Sequence, residues 1–227
     1  MMRCLVLLFA ACWLLGGLAS ADHVIVTGGP ALRKWEDLRV EKDRHDRWWA
    51  NFIRASTIEM DLLLKQPDFN DRLVWMVYLP AYRDRGQEDG KPYTTWIQKQ
   101  ATKRNAQLIW FSSGPEFIQK FNALPQGSVK EFEYFGHSNK HAFMFEYGSD
   151  IMAASTAWLH ENDLGKLKRS VFSRDAVCTS WGCHTGESMS QVWERQLKVP
   201  LRGVRGPTHY SSVGRGELPI AKGPWTE

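Results

Sequence analysis

The chain has 227 residues, 43% hydrophobic and 24% charged, with a formal net charge of +4. That is long enough for one full core, and its charge is too evenly mixed for a nucleic-acid footprint. Lysines and arginines alternate with acids at 33–39 and 41–47, which read as solvated surface, and no RNA-recognition strand pair accompanies the aromatics.

At the N-terminus, Arg3, the apolar run 4–15 and the small residues 16–21 read as a secretory leader cleaved after Ala21. The apolar run is well short of the roughly 20 residues of a membrane span. Asp22, not a cysteine, follows the small residues, which argues against a lipid anchor. The expectation is therefore a leader at 1–21 and one exported domain at 22–227, periplasmic or secreted, with no stable membrane anchor.

Residues 23–27 predict a strand ended by Gly28-Gly29-Pro30. Between 44 and 65, Trp49, Phe52, Ile53, Ser56, Met60, Leu63 and Leu64 recur at three- and four-residue steps, the stripe of an amphipathic helix stopped by Pro67. The continuous apolar run 73–79 predicts a strand covered on both faces, and the charged stretch 83–92 a solvated loop, with a substrate-facing lid as its alternative. A helix at 94–104, a strand at 107–111 and a helix at 115–123 follow. Then come a strand ending at Gly136, a hairpin arm at 141–147, a helix at 154–169, a strand ending at Trp181, a helix at 185–198 and a strand at 199–204. Alternating strands and helices predict an α/β fold, a three-layer sandwich around a mostly parallel sheet. Most of the tryptophans sit in apolar runs and read as core, with a sugar-stacking platform as the other use.

Beyond the leader only Cys178 and Cys183 remain. An extended segment puts them about 16 Å apart and on opposite faces, whereas a disulfide needs Cα atoms within about 7 Å. A strand with two free thiols is the expectation. Cys178 is a core residue, and Cys183, beside Gly182 at the strand end, asks for a chemical reason. His137, after Gly136, ends the earlier strand, so a parallel sheet would bring imidazole and thiol to one edge. There Cys183 would be a nucleophile whose thiolate is favoured by the helix expected just after it, and His137 the proton shuttle. The N–H groups of Cys183 and Ser138 would bind an oxyanion. Glu187 would orient a substrate amine, with the arginine-bearing stretch 202–209, including Arg205 and Thr208, as the rim.

An apolar strand ending in His137 and a later one ending in Gly182-Cys183 resemble the caspase-like cysteine peptidases, the superfamily of caspases, gingipains, clostripain, separase and bacterial CHAT domains. The resemblance implies a caspase-like fold, peptide or protein substrates, no cofactor, Cys183 as nucleophile and His137 as general acid and base. The chain departs from the family in having Ser138 where a Gly follows the His, and Trp181-Gly182 where caspases have Gln-Ala. Two other readings stand beside it. One is a zinc site from Cys178, Cys183, His184 and His137, whose spacing inside a strand does not converge on one point. The other is a non-catalytic exported module for a glycan or anionic ligand.

Overall fold

The structure, a computed structural model, describes residues 21–226. The expected leader lies outside the described residues apart from Ala21. In chain order the elements begin with β1 (Asp22–Thr27), α1 (Arg33–Leu38), α2 (Asn51–Leu63), β2 (Arg72–Tyr78), α3 (Leu79–Asp89), α4 (Tyr93–Lys103), β3 (Gln107–Phe111), α5 (Gly114–Phe121) and β4 (Val129–Phe135). They continue with β5 (His137–Ser138), β6 (Ala142–Met144), β7 (Trp158–His160), β8 (Phe172–Ser180), α6 (Met189–Leu197), β9 (Leu201–Gly203), β10 (Thr208–His209) and β11 (Ile220–Ala221).

Six strands form one sheet in the order β3-β2-β1-β4-β8-β9, and every neighbouring pair is parallel. Because side chains alternate along each strand, the two faces build separate cores. Val24, Val26, Met76, Phe132, Tyr134 and Cys178 pack on one side with Phe117 of α5 and Trp193 of α6. Ile25, Trp75, Val77 and Phe135 pack on the other with Phe52 and Met60 of α2 and Ile97 of α4. Helices on both faces of a parallel sheet make the three-layer α/β sandwich. Numbering these six strands alone, the order is 3-2-1-4-5-6, that of a doubly wound sheet, whose switch point falls between β1 and β4.

Four expectations are corrected. The charged stretch 83–92 is no loop: most of it belongs to α3, which has Pro80 in its first turn and Gly90 in the left-handed conformation as its C-terminal cap (φ 62°). Arg85 is fully buried there, donating to the carbonyl oxygens of Ala31 (2.7 Å), Asp46 (3.0 Å) and Arg47 (3.2 Å). The stretches 33–39 and 41–47 are not wholly solvated either, since Glu36 and Asp46 are buried. In place of a helix at 154–169, β7 pairs with β6, and short 3-10 turns follow at Glu161–Lys166 and Arg169–Val171. Finally, the helix after Cys183 begins at Met189, and His184 takes a left-handed backbone (φ 63°) in the intervening turns. Cys178 and Cys183 are both free.

Candidate active site

The chain leaves β1 through Gly28 and Gly29, directly at the switch point. Gly28 N–H donates to the Phe135 carbonyl at 2.9 Å, which binds the ends of β1 and β4 together. A Cβ on Gly29 would overlap that of Ala81, and one on Gly136 would overlap the Tyr134 ring, so both turns need glycine for close approach. Tyr134 folds back beneath the turn, its hydroxyl donating to the carbonyl oxygens of His137 (2.6 Å) and Met144 (3.0 Å).

His137 sits just past this turn, its ring held edge-on by Phe52 (4.9 Å) and beside Tyr147 (4.4 Å). Its Nε2 lies 2.6 Å from Oδ2 of Asp46, which is completely buried. The same oxygen accepts the Ala31 N–H at 2.8 Å, and Asp46 N–H donates to Glu36 Oε2 at 2.8 Å. Burial by itself would raise the Asp46 carboxyl. The neighbouring His137 and the Ala31 N–H outweigh it and hold the group below the usual aspartate range. A carboxylate on Nε2 fixes the ring orientation and leaves Nδ1 as the basic nitrogen of the neutral imidazole.

Cys183 follows the neighbouring strand, β8. The turns after β4 and β8 are tied where the Ser138 hydroxyl donates to the Cys183 carbonyl at 2.7 Å, and a Cβ on Gly182 would overlap that hydroxyl. Imidazole and thiol thus leave adjacent strands at one edge, but no hydrogen bond joins them. The sulfur instead accepts the Thr208 N–H at 3.3 Å. Burial pushes the Cys183 thiol up, against the opposing effect of the Thr208 N–H and its own amide, so the resting group is a neutral thiol. With α6 starting six residues later, no helix N-terminus stabilises a thiolate, contrary to expectation. Cys178 is buried in the core and burial pushes its thiol far higher.

The remaining expected residues divide. Thr208 lies against Cys183 through its backbone, and its Oγ1 is buried without a hydrogen-bond partner. Glu187 is taken up by His184 (Oε1 to Nδ1, 2.5 Å). Arg205 is exposed, and its N–H donates to the Pro224 carbonyl. The four residues of the zinc reading are not gathered, since Cys178 faces the core and His184 turns to Glu187. Two cavities, about 480 and 260 Å³, lie along α2, α3 and α4, and neither is lined by Cys183 or His137.

Asp46 is the residue that sequence reasoning missed. It stands in a run of alternating charges, 91 residues from its partner, and with Lys42 four residues before it and Arg47 beside it no local signal marks it. No family model matches the chain, and no curated protein is detectably similar to it.

Proposed function

We propose that this protein is an exported thiol hydrolase of peptide or other amide bonds, caspase-like in the placement of its His and Cys strands. Cys183 is the nucleophile, His137 the general base and acid, and Asp46 the carboxylate that orients the imidazole. One observation carries this reading: the turns after the parallel neighbours β4 and β8 are tied by the Ser138–Cys183 hydrogen bond, with an imidazole on one, a thiol on the other and a buried carboxylate behind the imidazole.

The chemistry follows from those roles. Substrate binding draws the thiol from the Thr208 N–H toward Nδ1 of His137, which takes its proton as Sγ attacks the carbonyl carbon. The amine leaves with that proton, giving a thioester. Water then adds, again losing a proton to His137, and the carboxylic acid departs as the thiol re-forms. The N–H groups of Ser138 and Cys183 are the donors assigned to the oxyanion. Catalytic hydrogen bonds that tighten only with substrate are familiar in resting enzymes.

Turnover of a fluorogenic peptide library tests the assignment. Cys183→Ala and His137→Ala abolish hydrolysis, and Asp46→Asn lowers kcat by about two to four orders of magnitude by reversing the polarity facing Nε2. Hydrolysis that survives Cys183→Ala overturns it. The shielded, raised thiol favours a second reading, a non-catalytic module for a glycan or anionic ligand. Ligand binding retained by a Cys183→Ala, His137→Ala double variant, without hydrolysis by the parent, would select it.

A further inference from the structure

Away from that edge, the same strands β1 and β4 carry a second imidazole in a different setting. His23 on β1 pairs in register with Glu131 on β4, and Glu133 is two residues further along the same face. His23 is 1% exposed, and neither of its ring nitrogens has a hydrogen-bond partner. Nδ1 lies 3.5 Å from a Glu131 oxygen and Nε2 lies 3.4 Å from a Glu133 oxygen. Charge-assisted hydrogen bonds are shorter, about 2.7–2.9 Å. Two ligands on one tetrahedral ion, with bonds of about 2.0–2.2 Å, stand roughly 3.4 Å apart, so an ion on either ring nitrogen finds one of these carboxylates at ligand spacing.

One ligand atom from each of His23, Glu131 and Glu133 can be chosen so that all lie within 4.8 Å of one another. We propose that these three residues form a binding site for a divalent transition-metal ion such as zinc. Nitrogen and carboxylate oxygen are ligands that zinc accepts. Glu133 is further held by the Trp181 indole N–H, which donates to its second oxygen at 3.2 Å, the kind of outer contact that fixes a ligating carboxylate. Glu131 is 39% exposed and its β8 neighbour Val177 is exposed too, so an ion has a path in. The pocket is also rich in negative charge. Glu59 on α2 adds a third carboxyl beside His23, Glu131 and Glu133.

The site is independent of Cys183, and the test removes that thiol so it cannot capture the probe. Zn²⁺ is titrated into the Cys183→Ala protein by calorimetry, with melting temperature followed in parallel, beside versions that add His23→Gln, Glu131→Gln or Glu133→Gln. The expected result is one equivalent of Zn²⁺, a melting temperature raised by metal, and affinity weakened more than about ten-fold by each added change. The glutamines keep side-chain shape, and melting without metal shows that each variant is folded. Absence of zinc binding, or binding of equal strength in all three variants, overturns the proposal.

Discussion

Two histidines, one on β1 and one just past the end of β4, show how the number and distance of carboxylates decide what an imidazole is for. His137 has one carboxylate in direct contact, 2.6 Å away and itself anchored by the Ala31 N–H. His23 has two at 3.4 and 3.5 Å and no hydrogen bond. The first arrangement saturates one ring nitrogen and leaves the other for proton transfer. The second leaves both unsatisfied in a pocket with surplus negative charge, which suits a cation and not a proton shuttle.

The largest effect expected from breaking this contrast is on stability. Asp46→Ala strips His137 and the Ala31 N–H of their buried acceptor and costs about 2–5 kcal/mol, read from urea denaturation. Gly29→Ala forces a Cβ onto Ala81 at the exit of β1 and costs about 1–3 kcal/mol by the same measurement. A smaller effect is read from pH. Asp89 is buried, which would raise its carboxyl, but Arg33, Tyr93 and Arg85 outweigh burial and hold it at about 2. A carboxyl depressed in the folded state adds stability above its unfolded value, lost as pH falls from about 4 to about 2. Asp89→Asn should flatten that limb of the stability profile because asparagine takes up no proton there, and should lower stability above it by weakening the anchor of the Arg85 guanidinium that holds the Asp46 backbone. The smallest effect belongs to Glu133→Gln without metal, within about 0.5 kcal/mol of the parent or slightly stabilising, because one crowded negative charge is lost while Trp181 keeps an acceptor. A large loss there would erase the distinction between the two histidines.

Strands of the central sheet were legible as continuous apolar runs: 73–79 is β2 shifted by one, buried on both faces, and 107–111 is the edge strand β3 to the residue, although only Phe111 in it is buried. The two cysteines were also read correctly as free. What stayed hidden was buried charge. Arg85 and Asp46 look like solvent-facing residues in any local window, since the carbonyl oxygens and the imidazole that satisfy them come from elsewhere in the chain. That is why α3 read as a loop and Asp46 as surface. The expected helix at 154–169 failed for a related reason. Residues 158–160 are held as a strand by pairing with β6 and not by their own pattern. His23 and Glu131 face each other through strand register, which a sequence leaves open until the sheet order is known.

The most direct test of the account is alkylation of the folded protein by a peptidyl halomethyl ketone, which engages the site as a substrate does, with Cys183 and Cys178 followed separately by mass over pH, in the parent and in His137→Ala and Asp46→Asn. The account predicts labelling at Cys183 alone, slowed and moved to higher pH by His137→Ala and to a lesser degree by Asp46→Asn, with Cys178 protected throughout by the core. Identical Cys183 labelling in all three proteins across the pH range would show that the imidazole and its carboxylate do not serve the thiol, and would contradict it.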